Sequence, residues 1–554
     1  MYYLNYIEMI EIKNKILKSL KKEPNNYNIN LKLGMIYINQ VNYNQAKLIF
    51  KKLISLDKNR YEGYLNLSNL LSLEQEFEKA ENILKKYLKY NDYNKNIISA
   101  LATHYYNLNN FEKLENVIKK YIHTEENYFL FFSNAILLER DREVEKEIFF
   151  LEKSINCNKN FWPAYEKLFY ALERTNKLEK LYSLITISKK IFKNNYKLKY
   201  YEALYLFRRN KVDEAIEIIN TNKIENEFIK SNQSTYLINL YDLLSRINLK
   251  INKNKFSLDF AIKRNSISIK LEQNKKYNKD ILLNLIKEYK LFYKSFKFKE
   301  NLNNEAGLFH DNLTFLVGFP RSGTTLLDSI LRSHSKTYLI EELPYLINLR
   351  HNFFKNNSLE ELSTMSLEKK IMLQKEYFNS FNYSKEKFII DKFPLNLIEL
   401  GFIKILFPKS KIILALRHPL DTILSCVLTS FKINEAMANF ENLNTAAHFY
   451  NEVFDLYKVY ENSFKANIYK IKYENVVQKF DIEIENLLNY LNLEFENSVK
   501  NYHITAKNRE RIFTPSYNQV IKPLYKNSIN RYLKFSETDK IKHLINRWIA
   551  EFGY

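Results

Sequence analysis

The pattern of apolar and polar positions changes near residue 300 of the 554-residue chain. Before it, apolar residues recur at helical spacing, and there are only two glycines and two prolines. After it, five glycines and seven prolines separate short apolar runs from longer amphipathic stretches. Because glycine and proline mark turns, we predict a continuously helical first part and a second part with sharp loops.

The helical part repeats. An apolar residue followed by polar and charged ones recurs at spacings of 34, 34, 33, 34 and 34 residues, starting at Tyr43, Phe77, Phe111, Val144, Leu178 and Val212. An upstream position stays small, with one exception at Phe169; the small residues are Gly34, Ser68, Ala102, Ala135 and Ala203. This period, with small residues where two helices cross, is typical of tetratricopeptide (TPR) repeats, which stack into an α-solenoid. A generic helical bundle is the alternative.

We predict the TPR solenoid over residues 1–271, with an altered repeat at 231–271 that caps it. Residues 272–311 are Lys-rich and amphipathic, which favours a helical linker to a domain at 312–554. The concave face of the array offers a surface for an acceptor polypeptide or another protein partner. Dimerisation, or positioning of the second domain, are the open alternatives.

The second part alternates strand-like apolar runs with helical segments, which predicts an α/β domain with a parallel sheet and helices on both faces. Ligands of such sheets bind at the carboxyl ends of the strands. Gly318, Lys392 and Arg417 each follow a strand candidate closely, so we expect them to meet at one crevice. The strand candidates are residues 313–317, 388–390, 411–416 and 468–471, with 338–340 as a further one.

The loop from Gly318 to Gly323 has the glycine spacing of a P-loop, followed by Thr324 where a nucleoside triphosphatase has lysine. Thr325 keeps the hydroxyl position. Such a loop aims backbone N–H groups and a helix N-terminus at one point and forms an anion cradle. Without the lysine we expect a donor with less charge at its transferring end than a triphosphate, and a sulfuryl group fits. A structural strand-loop-helix that binds nothing is the alternative.

Four blocks in this order carry a resemblance to a known family. They are Gly-Phe-Pro-Arg-Ser-Gly-Thr-Thr-Leu-Leu at 318–327, Asp-Lys-Phe-Pro-Leu-Asn at 391–396 before Leu-Phe-Pro at 406–408, Arg-His-Pro-Leu-Asp-Thr-Ile-Leu-Ser-Cys at 417–426, and Ser-Tyr-Asn-Gln-Val at 516–520 before Pro-Leu-Tyr at 523–525. From about residue 313 to the C-terminus the chain resembles sulfotransferases that use 3′-phosphoadenosine 5′-phosphosulfate (PAPS). It is most similar to bacterial TPR-repeat sulfotransferases and to tyrosylprotein sulfotransferases.

The resemblance implies PAPS as donor, 3′-phosphoadenosine 5′-phosphate (PAP) as product, and no metal. The loop is expected to hold the 5′-phosphosulfate through Arg321, Ser322, Gly323, Thr324 and Thr325. Arg417 and Ser425 are the expected clamp for the 3′-phosphate, since an arginine fork meets phosphate oxygens in pairs. The remaining candidates, expected to close over adenine and the 3′-phosphate or to add a cation, are Tyr473, Ser516, Tyr525 and Arg531.

The resemblance also implies a carboxylate base, for which Glu341 and Glu342 are the candidates. Glu342 is preferred because it lies 21 residues after Arg321, the spacing found in tyrosylprotein sulfotransferases. Lys392 is the expected electrophile beside the departing phosphate. Those enzymes have Asn-Lys-Asp-Pro where this chain has Asp391-Lys392-Phe393-Pro394, a departure that weakens the case for a tyrosyl-peptide acceptor. Peptide tyrosine, glycan, lipid-linked sugar and small alcohol all stay open as acceptors.

The amino-acid composition adds little evidence about function. The net charge of +22 invites a nucleic-acid partner, but the lysines are scattered rather than clustered, so we expect none. The two cysteines are too few for a disulfide framework, and the nine histidines have no ligand spacing. No leader or membrane-spanning run is recognised, which predicts a cytoplasmic protein. The rival functions are a P-loop kinase and a non-enzymatic TPR scaffold with an inactive transferase domain.

Overall fold

The computed structural model describes residues 6–123, 126–141, 143–296, 312–382, 387–464, 467–508 and 528–554. The chain divides into two compact units, Met1–Asn222 and Lys223–Tyr554. The described helices include none that is both long and apolar enough to cross a lipid bilayer.

The first unit is an array of antiparallel helix pairs. Its helices are Tyr6–Lys22, Tyr27–Asn39, Tyr43–Leu56, Glu62–Leu73, Phe77–Tyr90, Lys95–Asn107, Phe111–Tyr121, Tyr128–Arg140, Val144–Cys157, Trp162–Arg174, Leu178–Ile191, Tyr196–Arg208 and Val212–Thr221. Asparagine side chains accept hydrogen bonds from the first turns of several of these helices, for example Asn94 and Asn127, which satisfies orphan backbone donors. The predicted helical repeat array of the TPR type is confirmed.

The repeat is set by the turn and by the crossing within each pair. The turn contains one residue with left-handed backbone at the same place in successive pairs, as at Val41, Gln75, Asn109, Asn176 and Asn210. At the crossing, a Cβ on Gly34 would lie 2.7 Å from the ring of Phe50, so the helices approach too closely for a larger side chain. The exception, Phe169, is fully buried and stacks on Tyr201 with ring centroids 4.6 Å apart.

The second unit is built on a five-stranded parallel sheet. Its strands are β1 (Leu313–Gly318), β2 (Thr337–Glu341), β3 (Phe388–Lys392), β4 (Lys411–Leu416) and β5 (Ile468–Lys472). They lie in the order β2-β3-β1-β4-β5, and all neighbours are parallel. All five predicted strands are therefore confirmed, and β1, β2, β3 and β5 run one or two residues beyond the predicted bounds.

Alternating side chains of the strands belong to two separate hydrophobic cores, one on each face of the sheet. In β1, Phe315 and Val317 belong to one core and Leu316 to the other. Both faces are thus covered by helices, as expected for a parallel sheet. The α-helices of this unit are Ile224–Lys230, Ser234–Lys250, Asn254–Lys270, Lys279–Ser295, Thr324–Arg332, Tyr345–Phe354, Leu359–Ser363, Leu367–Asn379, Leu400–Leu406, Pro419–Leu428, Leu443–Phe464, Tyr473–Gln478, Phe480–Leu491, Asn497–Lys500, Tyr502–Asn508 and Asp539–Glu551.

Short 3₁₀ turns complete the unit at Glu272–Asn274, Pro394–Leu397, Met437–Phe440, Arg531–Lys534 and Ser536–Thr538. Three helices are named below by their role: the loop helix (Thr324–Arg332), the arginine helix (Pro419–Leu428) and the wall helix (Lys279–Ser295).

The segment predicted to cap the repeat array contacts the end of the arginine helix within the second unit. Arg264 donates to the carbonyl oxygens of Val427 (2.9 Å) and Leu428 (3.2 Å). Asn265 donates to Val427 (3.0 Å) and to Phe440 (2.9 Å). Carbonyls at the end of a helix have no partner within it, so these two buried side chains secure the end of the arginine helix. The domain limits proposed from the sequence stay a prediction, and the compact units divide earlier, after Asn222.

Candidate active site

The loop after β1 requires its two glycines for different reasons. A Cβ on Gly318 would lie 2.7 Å from the carbonyl oxygen of Ala415 on β4, so no side chain fits there. Gly323 has φ +99°, which a residue with a Cβ rarely adopts, and its Cβ would lie 2.8 Å from the ring of Tyr473. Between them Arg321 also has a positive φ of 71°. The backbone is thereby turned sharply into the loop helix, whose N-terminus opens at Thr324.

Buried polar groups line this turn. Ser322 is 3% exposed, and its Oγ has no hydrogen-bond partner among the described residues. Thr324 and Thr325 are also buried, in the first turn of the loop helix. Cys426 Sγ donates to the carbonyl of Pro320 (3.2 Å), and burial raises the pKa of that thiol. A helix N-terminus with buried hydroxyls beside it favours an anion.

Arg417 follows β4 directly and reaches the same loop. Its Nη1 donates to the carbonyl oxygen of Arg321 (3.3 Å), and the guanidinium lies 5.0 Å from the ring centroid of Tyr473. Its Nε is buried and has no hydrogen-bond partner within the described ranges. Ser425, two turns along the arginine helix, accepts from Arg321 Nε (3.1 Å). The two arginines and the serine predicted to bind the donor are thus in mutual contact.

Residues of the C-terminal segment contact Arg417 and the residues around it. Arg417 Nη2 donates to the carbonyl of Ser528 and lies 3.7 Å from Asp421 Oδ2. Asp421 is fully buried and accepts from the backbone N–H of Tyr532 (2.7 Å). The ring of His418 stacks on Tyr532 at 4.3 Å, and burial together with the charge of Arg417 lowers the pKa of His418 to about 4. His418 is therefore neutral at physiological pH, and the positive charge stays on Arg417.

The carboxylate and lysine candidates meet at the other side of the loop. Lys392, the last residue of β3, is fully buried, and its Nζ lies 2.8 Å from Glu342 Oε1 and 3.6 Å from Glu341 Oε1. The backbone N–H of Glu342 donates to the carbonyl of Lys392 (2.8 Å), and Glu342 has a positive φ of 49°. The side chain of Glu342 is 32% exposed and faces the cleft, while that of Glu341 is 6% exposed.

A buried acid beside Lys392 was not predicted. Asp391 Oδ2 accepts a hydrogen bond from the hydroxyl of Tyr377 (2.6 Å), and both residues are fully buried. Burial raises the pKa of Asp391 to about 7, against the opposing effects of Tyr377 and Lys392. Asp391 was recognised as part of a sequence motif, but nothing in the sequence indicates a contact with Tyr377, 14 positions earlier.

One cleft of about 760 Å³ joins these groups. Most of the predicted site residues line it, namely Arg321, Gly323, Thr324, Thr325, Glu342, Arg417, Ser425, Tyr473 and Arg531. Ser322 and Lys392 lie behind this lining, in contact with the loop and with Glu342. Ser516 and Tyr525 lie outside the described residues. The structure thus brings the described candidates to one crevice at the carboxyl edge of the sheet.

The far wall of the cleft was missed at the sequence level. Ile281, Leu282 and Leu285 of the wall helix line it, although the sequence assigned this segment to a linker. Arg350 and Glu399 also line it, with Arg350 Nε 3.3 Å from Glu399 Oε1. The apolar periodicity of the wall helix was the available signal, but periodicity does not say which surface a helix covers. No group of three or more His, Cys, Asp or Glu suited to a metal occurs in the described part of the chain.

An α/β domain with a glycine-bounded loop after its first strand and a Glu–Lys pair beside that loop has a P-loop-like fold. Residues 314–497 match the model of the sulfotransferase family, so this part of the chain is a sulfotransferase-family domain.

Individual relatives are more distant. An uncharacterized protein of Aquifex aeolicus (strain VF5) is 25% identical over 235 residues, which cover 40% of this chain and 30% of the relative. The chain therefore matches less than a third of that relative's length.

Among solved structures, the sulfotransferase domain of the Synechococcus PCC 7002 olefin synthase is 20% identical with a TM-score of 0.31, and the match covers 44% of this chain and 95% of that one. The repeat region is similar to Pseudomonas aeruginosa pilF: the match covers 36% of this chain and 90% of that one, at 15% identity and a TM-score of 0.32.

Proposed function

We propose that the protein moves a sulfuryl group from PAPS to an acceptor hydroxyl. The observation that carries the proposal is the single cleft lined by the lysine-free loop, by Arg417 and by Glu342. In a kinase-like P-loop, a lysine and Mg²⁺ offset the charge of the β- and γ-phosphates. Here Thr324 occupies the lysine position, which favours a donor of lower charge.

The residues present fit such a donor. A Cβ at Gly318 would meet Ser322 Oγ and the carbonyl of Ala415, and one at Gly323 would meet the ring of Tyr473, so the loop keeps its backbone bare at both ends. Ser322 Oγ and Arg417 Nε are buried polar atoms that lack a hydrogen-bond partner among the described residues. Backbone N–H groups and hydroxyls of residues 321–325 would hold the 5′-phosphosulfate. Arg417 and Ser425 would hold the 3′-phosphate, with Tyr473 and Arg531 beside them. When bound, PAPS supplies the sulfuryl group that passes from its phosphate oxygen to the acceptor oxygen.

Glu342 and Lys392 are the proposed catalytic residues. The Glu342 carboxylate accepts the proton of the acceptor hydroxyl, which leaves that oxygen free to form the new bond to sulfur. Lys392 lies in a fully buried position next to Glu342, where it stabilises negative charge that develops on the departing phosphate oxygen. Glu342 is preferred to Glu341 because its carboxylate reaches the cleft. The TPR array is proposed to bind the acceptor or a protein partner.

Nucleotide selectivity tests the donor. Calorimetric titration of the full-length protein should give a dissociation constant for PAP at least about tenfold below that for ATP–Mg²⁺. Arg417→Met should weaken PAP binding by about 10- to 100-fold, because hydrogen bonds to charged groups contribute about 1.5–3 kcal/mol. Arg547→Met, at a largely exposed arginine, is the matched control and should bind PAP normally. Tighter binding of ATP–Mg²⁺ would favour the kinase alternative.

Turnover tests the roles of the two catalytic residues. Glu342→Gln and Lys392→Met should each lower kcat by about 10²- to 10⁴-fold while PAP binding is retained. Glu341→Gln should have a much smaller effect, since that carboxylate lies 3.6 Å from Lys392 Nζ and outside the cleft lining. Release of PAP in the presence of labelled PAPS and a cell lysate provides the assay. Full activity of both variants would show that these roles are wrong.

A further inference from the structure

We propose that the acceptor presents its hydroxyl from an apolar, uncharged body rather than from an acidic peptide. This inference rests on the proposed function, and it concerns the part of the cleft beyond Glu342. The sulfotransferase match leaves the acceptor open, so its chemistry has to be inferred from the cleft itself.

The strand order gives the cleft two ends. The anion loop follows β1, Arg417 follows its neighbour β4, and Tyr473 follows β5, the next strand beyond β4. Glu342 follows β2, which lies on the other side of β1 and is separated from it by β3. Strands in a sheet are about 4.8 Å apart, so β2 lies roughly 10 Å from the loop strand. Donor groups therefore occupy the end at β1, β4 and β5, and the acceptor enters at the end at β2 and β3.

The acceptor end has apolar walls from three separate elements. The helix after β2 contributes Ile347, the segment after β3 contributes Phe393 and Leu395, and the wall helix contributes Ile281, Leu282 and Leu285. Ile281 is 55% exposed among the described residues, so part of this wall faces solvent. An acceptor that covers this surface would gain free energy in proportion to the apolar area removed from water.

One cation in the cleft lining, Arg350, is paired with a protein carboxylate. Arg350 Nε lies 3.3 Å from Oε1 of Glu399, which is itself buried and accepts a hydrogen bond from the hydroxyl of Tyr289 (3.1 Å). Burial raises the pKa of Glu399, and Arg350 opposes that shift. Moving Arg350 out of this pair would leave the Glu399 carboxylate buried and uncompensated. An acidic ligand could therefore bind Arg350 only at a large cost in free energy.

The charges of the two ends differ accordingly. The donor end has three arginines in its lining, Arg321, Arg417 and Arg531, which suits an anion. At the acceptor end the Lys392–Glu342 and Arg350–Glu399 pairs are balanced, and the other charged lining residues among those described, Lys432 and Glu435, have opposite signs. A peptide with acidic residues beside its hydroxyl would desolvate carboxylates against a wall whose described residues have no net positive charge, which is unfavourable.

Para-substituted phenols test this chemistry with the hydroxyl held constant. We expect kcat/KM, measured by PAP release from the full-length protein, to rise about three- to fourfold per methylene from 4-methylphenol to 4-butylphenol. In 4-hydroxyphenylacetate a carboxylate replaces the end of the 4-propylphenol chain, and we expect at least about tenfold lower kcat/KM. Calorimetric binding of the same phenols to the PAP-saturated protein should follow the same order, without dependence on turnover.

Two substitutions on one helix provide the matched variants. Ile281→Glu places a charge in the apolar wall, in the first turn of the wall helix, where an acidic residue is compatible with helix formation. It should lower kcat/KM for 4-butylphenol by about tenfold or more and leave the PAP dissociation constant unchanged. Leu291→Glu is the control, because Leu291 is 73% exposed on the same helix and does not line the cleft.

The outcomes separate this inference from the proposed function. If PAP does not bind, the proposed function fails and this inference fails with it. If PAP binds but 4-hydroxyphenylacetate or a tyrosyl peptide flanked by aspartates is the better acceptor, only the inference on the acceptor is overturned. Equal loss of activity in Ile281→Glu and Leu291→Glu would also overturn it, because the wall would then have no specific effect.

Discussion

At the scale of single residues, the site depends on backbone conformations that only a few side chains permit. Arg321, Gly323 and Glu342 all have positive φ, at 71°, 99° and 49°. Two of them carry side chains, and such strain persists where the surrounding structure over-determines the conformation. The three residues lie at the donor loop and at the proposed base, whereas most other described residues with positive φ, such as Val41 and Asn210, lie in turns between helices.

Gly323→Ala should therefore damage the donor site more than the fold. The new Cβ would meet a φ of 99° and the ring of Tyr473 at 2.8 Å, so we expect about 1–2 kcal/mol loss of stability and weaker PAP binding. Denaturant unfolding and PAP calorimetry measure the two effects. Gly553→Ala is the control, since Gly553 also has a positive φ of 65° but its Cβ would approach only the end of Lys472. Unchanged PAP binding in Gly323→Ala would contradict the proposed cradle.

Asp391 should make stability fall as the pH rises. Its pKa is raised by burial from 3.8 to about 7 in the folded protein, so between pH 4 and 7 the folded state binds a proton that the unfolded state has lost. Stability from this group is present at low pH and is lost as the pH rises toward 7, with a slope of up to about 1.4 kcal/mol per pH unit.

Asp391→Asn should remove that slope, because an amide can still accept the hydrogen bond of Tyr377 but does not ionise. Urea unfolding at several pH values between 5 and 8 checks this, with Asp481→Asn at an exposed position as the control. If the stability of the wild type and of Asp391→Asn varied with pH in parallel, Asp391 would not be the titrating group.

Some contacts of the candidate site could be predicted from the sequence and others could not. Lys392 and Glu341 are paired in register between adjacent parallel strands, so two residues 51 positions apart meet because both follow strands that were predicted. The hydrogen bond of Asp391 with Tyr377 and the ion pair of Arg350 with Glu399 depend on how helices pack against the sheet. Hydrophobic periodicity indicates which face of a helix is buried but not which element that face packs against. These contacts could therefore not be predicted from the sequence.

At the scale of elements, ion pairs link successive repeats of the first unit. Arg174 pairs with Glu139 (3.3 Å) and with Glu147, whose exposed fraction is only 1%. Burial raises the pKa of Glu147, and Arg174 opposes this shift. The regular period made the helix pairs predictable, but the period is the same for every repeat and does not show which interface contains a buried carboxylate.

Arg174→Met should thus be strongly destabilising, by about 3–5 kcal/mol, because it leaves Glu147 buried without a partner. Denaturant unfolding of the full chain, followed by hydrogen exchange in the first unit, measures the loss. Arg209→Met is the control: its partner Glu179 is 79% exposed, so the expected change is about 0–1 kcal/mol. Adding Glu147→Leu to Arg174→Met should recover part of the stability, and failure to do so would mean that packing of the arginine stem dominates.

At the scale of the whole molecule, the compact units and the repeat pattern place the division of the chain differently. The repeat pattern favours a boundary near residue 271, where the last altered repeat ends. Compactness places it after Asn222, because the two helices from 234 to 270 contact the arginine helix through Arg264 and Asn265. A periodic sequence continues to look like a repeat after its helices have taken up another packing role, so period alone does not locate this boundary.

Two fragments decide between these boundaries. We expect residues 223–554 to unfold cooperatively and to bind PAP with nearly the affinity of the full chain. Residues 272–554 lack Arg264 and Asn265, so the buried carbonyls of Val427 and Phe440 lose their donors, each at a cost of about 1–3 kcal/mol. That fragment should lose cooperative unfolding and PAP binding together, since the arginine helix also contains Ser425.

Substitution in the full chain separates this effect from simple truncation. Arg264→Met with Asn265→Leu should lower stability and weaken PAP binding although every residue of the repeat array is present. If residues 272–554 bound PAP as tightly as residues 223–554, the earlier boundary would be wrong and the helices from 234 to 270 would belong functionally to the array. If neither fragment bound PAP while the full chain did, the donor site would need the first unit, and the division into independently folding units would fail.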